Sequence, residues 1–110
     1  MSKYLLIESR DPFDSRDCDW SYETAKDLAA AGNEVTVFLV QNGVLPARKG
    51  NKFESKLQEL ADSNVTILAD DLSLKERAIE ESLLLDSVKT SEIDVVVDLT
   101  VEQQYKAIWH

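Results

Sequence analysis

Two short stretches hold the residue types that do chemistry. In "SRDCDWS", residues 15–21, the only cysteine of the chain, Cys18, stands between Asp17 and Asp19. A thiol attacks or carries sulfur as its thiolate, and carboxylates on either side disfavour that ion. Arg16 and the N-terminus of a following helix act in the opposite sense. Cys18 is therefore either a working thiol or a small, inert, partly buried side chain at a helix entrance. In "ADDLS", residues 69–73, Asp70 and Asp71 close an apolar run. Such a pair either meets a ligand or caps a helix in a solvated loop. His110 is the only histidine and ends the sequence, so it has no second histidine with which to share a metal and is expected to be mobile.

The elements that must position these residues follow from pattern. Lys3 to Glu8, "KYLLIE", has the length of a buried strand, and Ser9 to Asp19 reads as a polar loop. Asp19 is placed to cap a helix through about Ala31, with Tyr22, Ala25, Leu28 and Ala29 on one face and Gly32-Asn33 as its stop. Glu34 to Val40, "EVTVFLV", is the clearest strand. Gln41 to Asn51 reads as a long loop, and its "PARKG" (residues 46–50) is a flexible basic patch able to grip an anionic group or a neighbouring subunit. A helix over about 52–62 and a strand over 65–68 follow. Ser73 is positioned to cap a short helix.

Val88 to Thr90 gives a short fourth strand. "IDVVVDL", residues 93–99, has strand propensity, but Ser91 and Asp94 have the spacing of a capping box, so a helix over about 92–103 is expected. Tyr105 to Trp109 makes the last strand. Trp20 and Trp109 are expected to bury aromatic area in the core or at a subunit contact. The alternation predicts one α/β domain over residues 1–110, an open, five-stranded, mostly parallel sheet with helices on both faces (flavodoxin-like layering). Ligands bind such sheets beyond the carboxyl ends of the strands. The first strand is expected to adjoin the third, which would let Cys18 and Asp70 face one crevice.

Composition narrows the function. The formal charge is −9, from 21 acidic and 12 basic residues, with no lysine- or arginine-rich run, so nucleic acid is an unsuitable partner. No apolar run reaches the ~20 residues that cross a bilayer, and "MSKYLLIESRD" meets acidic residues too early for a signal peptide. One cysteine forms no internal disulfide, which fits a reducing cytoplasm.

Two stretches carry a resemblance. "DWSYETAKDLAAAGNEVTVFLVQNGV" (residues 19–44) resembles the first helix, second strand and Gly-Val turn of the DsrE-like sulfur-relay proteins, which include the TusD-type subunits. "VTILADDLSLKERAI" (residues 65–79) resembles that family's third strand, its active-site loop and its Arg-Gly-Ile motif. The resemblance implies a small cytoplasmic protein, assembled as a trimer or hexamer and working with other sulfur-relay proteins, without a cofactor or a metal. In active members a cysteine after the third strand takes up sulfur as a persulfide. Counting back from Arg77-Ala78-Ile79, that register falls on Asp70, or on Ala69 if the loop differs by one residue, and Ala78 replaces the motif's glycine. The expected role is then a non-catalytic binding or scaffold subunit, with Asn42, Gly43, Ser73 and Arg77 as binding residues. The alternative is a persulfide carrier that uses Cys18, with Asp70 positioning the thiol. A third reading, similar to a response-regulator receiver, has Asp70 accept phosphate beside Mg²⁺ with Glu8, Asp11, Thr90 and Lys106. It is disfavoured because Lys106 opens its strand rather than closing it.

Overall fold

The computed structural model describes all residues, 1–110. Five strands form one sheet: β1 (Lys3–Glu8), β2 (Glu34–Leu39), β3 (Thr66–Asp70), β4 (Val88–Ser91) and β5 (Lys106–Trp109). Their order is β4-β3-β2-β1-β5, and every pairing is parallel. β2 therefore separates β1 from β3. This corrects the expected adjacency of the first and third strands, because local pattern gives the strands but not the direction in which each crossover steps.

The order dictates where the helices lie. Three crossovers step the same way, and right-handed connections put their helices on one face. These are α1 (Cys18–Ala30), α2 (Glu54–Asp62) and α3 (Asp71–Glu76). The chain then crosses from β4 to the far edge beyond β1, which carries α4 (Asp94–Val97, continued by a π turn over Asp98–Glu102) to the other face. Side-chain alternation along the strands feeds both layers. Leu6, Val37, Leu39, Ile67 and Ala69 join Tyr22, Ala25, Leu57 and Leu60 in a core of 19 buried residues. Leu5, Ile7 and Phe38 meet Leu99 in a second core of only 5.

Several local expectations shift. α1 begins at Cys18 with Asp17 at the cap and no side-chain capping bond, not at Asp19. It does stop at Gly32, whose φ of +90° lies in the left-handed region open to glycine. The stretch expected as a loop after β2 holds a 3₁₀ helix, Gln41–Ala47. Asp70, not Ser73, caps α3, accepting the Ser73 N–H. "IDVVVDL" is helical as expected, but without a capping box: the Ser91 hydroxyl donates to the Glu92 carbonyl. Trp20 and Trp109 are largely exposed in the single chain, so neither belongs to the core. No helix is long and apolar enough to cross a membrane.

Candidate functional site

The two groups singled out by type lie at the ends of different strands and on opposite faces of the sheet. At the end of β1, Glu8 follows Leu6 onto the α1 face and is fully buried. The chain after β5 zips onto β1: His110 N–H donates to the Ile7 carbonyl at 2.8 Å, and Ser9 N–H to the His110 oxygen at 3.0 Å. The imidazole is thereby set beside Glu8, with Nδ1 2.9 and 2.8 Å from the two carboxylate oxygens. The Trp20 ring lies against the imidazole at 5.6 Å between centroids. The last residue, expected to be mobile, is a tied one.

Cys18 opens α1 within this cluster and has no exposed surface. Its Sγ donates to the Arg10 carbonyl at 3.4 Å. Burial pushes the thiol well above its ordinary range; a hydrogen bond and the charge of Glu8 add to this, then Asp11, with only Arg10 opposing. The flanking aspartates expected to suppress the thiolate are engaged elsewhere. Asp17 pairs with Arg10 at 3.0 Å and Asp19 with Lys56 at 2.8 Å. One turn on, the Tyr22 hydroxyl is buried without a partner, and burial raises its pKa too. Burial and the nearby carboxylates keep the Cys18 thiol in its protonated form, the form that is not nucleophilic.

The end of β3 is built differently. Ala69 turns into the large core, and Asp70 turns to the α4 face as the floor of an open cleft of about 460 Å³. Asp70 Oδ2 accepts from the Ser73 N–H at 3.1 Å and from the Ser73 hydroxyl at 2.6 Å. That hydroxyl in turn accepts from the Gln41 N–H at 2.8 Å. Gln41 reaches it by taking a left-handed φ of +54° at the end of β2. Asp71, Glu76, Glu92 and Asp94 add carboxylates to the walls, and Val40, Leu72 and Ile93 add apolar surface. No side chain lining the cleft is a lysine or arginine. Such a cleft attracts cationic or hydrogen-bond-donating groups, and it holds no nucleophile free to form a persulfide.

The other expected site residues divide between the two ends. Asn42 and Arg77 bond to each other beside the cleft, Arg77 Nε donating to Asn42 Oδ1 at 3.0 Å and Nη1 to the Ser73 carbonyl at 3.1 Å. They brace the loop rather than line the cavity. Gly43 belongs to the β1 end, where any Cβ would collide with the Glu8 carbonyl oxygen. Ala78 occupies the motif's glycine position with a left-handed φ of +55°, a conformation glycine adopts without cost. The proposed crevice shared by Cys18 and Asp70 does not exist, since β2 lies between them and they face opposite ways. The receiver-type cluster fails for the same reason: Glu8 turns away from Asp70, and no three His, Cys, Asp or Glu side chains are arranged to hold a metal ion.

Sequence reasoning missed the partnership of Glu8 with His110 and the contribution of Gln41, Glu92 and Asp94 to the cleft. The first joins residues 102 positions apart, with no local signal. For the second, the left-handed turn at Gln41 is a property of the folded loop alone.

Comparison with known proteins adds the following. A family model described as the DsrE/DsrF-like family matches residues 2–109. No curated protein matches the chain. Among solved structures, the ychN protein from E. coli superposes with a TM-score of 0.90 at 19% identity, covering 100% of both chains. A protein of unknown function, MTH1491 from Methanobacterium thermoautotrophicum, gives 0.86 at 17% identity, again over 100% of both. A conserved protein of unknown function, BT1422 from Bacteroides thetaiotaomicron, gives 0.76 at 13%, over 98% of this chain and 95% of its own. At these identities the likeness is one of fold.

Proposed function

The chain belongs to the DsrE/DsrF-like family, and from that premise we propose that it is a binding or scaffold subunit of a cytoplasmic sulfur-trafficking system, not a sulfur carrier. One observation carries this reading. Counted from the family's motif, the register of an active member's cysteine falls on Asp70, or on Ala69 if the loop differs by one residue, and Asp70 is a capping carboxylate at the floor of an open cleft. The one thiol present, Cys18, is fully buried on the other side of the sheet. Membership in the family supplies the link to sulfur relay; the residues supply the absence of a carrier.

As such a subunit it assembles with copies of itself, as a trimer or hexamer, and with other sulfur-relay proteins. What supports assembly is an apolar stripe running from the cap of α4 into its π turn: Ile93, Val97 and Val101 recur every fourth residue and are 50%, 61% and 68% exposed. Residues at that spacing share a helix face, and a solvated apolar stripe beside a thin core is what a subunit contact would cover.

The test is intact-mass measurement of purified protein after incubation with a persulfidated donor, run beside Cys18→Ser and Asp70→Cys. The expected result is no sulfur on the wild type or on Cys18→Ser, and reductant-labile sulfur on Asp70→Cys. Reductant-labile sulfur on the wild type, absent from Cys18→Ser, would overturn the reading and make Cys18 the carrier.

A further inference from the structure

Five of the 12 lysines and arginines are paired with a carboxylate. Arg10, Lys26, Lys49, Lys56 and Lys75 all lie within 4.0 Å of one. Of the seven without such a partner, three, Arg16, Arg48 and Lys52, border hollows around one aromatic pair. Phe13, from the loop after β1, meets Phe53, just before α2, edge to face at 4.8 Å and 87°. Arg48 Cζ stands 5.9 Å from the Phe13 centroid, and Lys52 Nζ 5.6 Å from Phe13 and 5.1 Å from Phe53. The rings thus hold two positive groups near each other without neutralising them.

The segment expected to be flexible is tied down. Lys49 N–H donates to the Leu83 carbonyl at 2.7 Å, and the Asn51 amide donates to the carbonyls of Pro46 and Arg48. Arg48 is half-buried with Nε committed to the Leu45 carbonyl at 2.8 Å. Its two terminal amino groups have no partner in the chain, so the end of the guanidinium fork stays open for an oxyanion. Two hollows, of about 300 and 420 Å³, share Phe13 and Lys52; Arg16 borders the first and Arg48 the second. Asp14 and Asp19 also border the first, and Asp19 is already neutralised by Lys56.

We propose that Arg16, Arg48 and Lys52, gathered round the Phe13–Phe53 pair, form a binding site for a phosphate group. A carboxylate has two oxygens, which the Arg48 fork alone would satisfy. A phosphate dianion presents three terminal oxygens and uses separate cations at once; Lys52 borders both hollows, with Arg16 beside it on the first and Arg48 on the second. The site shares no lining residue with the Asp70 cleft and does not rest on the sulfur-relay reading.

The experiment titrates the whole protein with inorganic phosphate, phenyl phosphate and acetate at constant ionic strength, read by amide chemical shifts and calorimetry. Saturable binding of phosphate is expected, with shifts confined to residues 12–19 and 46–56. Each lost charge-assisted bond corresponds to about tenfold in affinity, so Lys52→Met and Arg48→Met should each weaken binding by about that factor. Lys89→Met, on β4, should leave it unchanged. Tighter binding of phenyl phosphate would point to an organic phosphate whose ring joins the aromatic pair, and equal binding to the free ion. A response no greater than that to acetate, or one unchanged in Lys52→Met, would overturn the assignment.

Discussion

The two faces of the sheet treat their reactive groups in opposite ways. On the α1–α3 face a 19-residue core closes over Glu8, Cys18 and Tyr22, so that a thiol, a phenol and a carboxylate are all removed from water. On the α4 face a core of five residues leaves an open cleft at Asp70 and an apolar stripe in solvent. The lesson is that residue type alone misplaces the chemistry. The only thiol is fully buried, and the group at the accessible strand end is a carboxylate. The faces should therefore differ in how mutation is felt, as folding stability on the first and as binding or assembly on the second. Four predictions, ordered by expected change in folding free energy, test that difference.

The largest effect belongs to the closed face. His110→Ala strips the imidazole from both oxygens of the fully buried Glu8 side chain, while the backbone bonds that tie the chain after β5 to β1 remain available. Leaving a buried polar group without its hydrogen-bond partner costs about 1–3 kcal/mol, more if it is charged. Urea denaturation of the variant should show that loss with the slope of the transition preserved. A loss under about 1 kcal/mol would mean that water reaches Glu8 and that this face is less closed than its burial implies.

Next comes alkaline pH. Cys18 ordinarily ionises at 9.0 and Tyr22 at 10.0, and burial raises both in the fold. Above pH 9 the unfolded chain gives up a proton that the folded chain keeps. The stability contributed by the neutral thiol is thus complete below pH 9 and is lost as pH rises beyond it, by about 1.4 kcal/mol per pH unit. Tyr22 adds the same slope from pH 10. Stability measured from pH 8 to 11 should fall in these two stages, and Cys18→Ala should remove the first alone. An identical pH profile in Cys18→Ala would show that the thiol is solvated.

These two predictions rest on features of unequal legibility. The strands were readable from β-branched and aromatic runs such as "EVTVFLV", and the helical character of "IDVVVDL" from the polar residues that follow it. Which strands are neighbours was not, because crossover direction is settled by the packing of whole layers, and the misplaced adjacency of β1 and β3 created a crevice that does not exist. Asp70 stood out as a residue type at a strand end. Its true partner, Ser73, was named in the wrong role, since either side chain satisfies the pattern of a cap and only the backbone decides which one does. Cys18 reads in sequence as a thiol whose thiolate its aspartate neighbours disfavour, but in the fold burial raises its pKa first, then Glu8 and Asp11, while the neighbouring carboxylates point to Arg10 and Lys56.

The third prediction moves to the open face. Asp70→Ala removes the cap of α3 and frees the Ser73 hydroxyl that holds the Gln41 N–H, at a cost of about 1 kcal/mol. Asp70→Asn keeps an oxygen for the cap and should recover most of that loss. If the carboxylate serves binding, the two variants should be equally poor at holding partner proteins in a co-purification assay despite their different stabilities. Recovery of binding in Asp70→Asn would reduce Asp70 to a cap.

The smallest effect on folding should accompany the largest effect on assembly. Val97 is 61% exposed on α4, so Val97→Asp removes little buried surface and should change stability by no more than about 0.5 kcal/mol. At a subunit contact the same aspartate would be buried unpaired in every copy, in a chain whose net charge of −9 already opposes association. Light scattering on a sizing column should then show an oligomer for the wild type and a folded monomer for Val97→Asp. An unchanged oligomer would move the contact away from α4, and a monomeric wild type would leave the stripe to a different protein. Either way the contrast between the faces is decided by a residue that contributes almost nothing to the fold, which is how a surface kept for partners differs from a surface kept for a core.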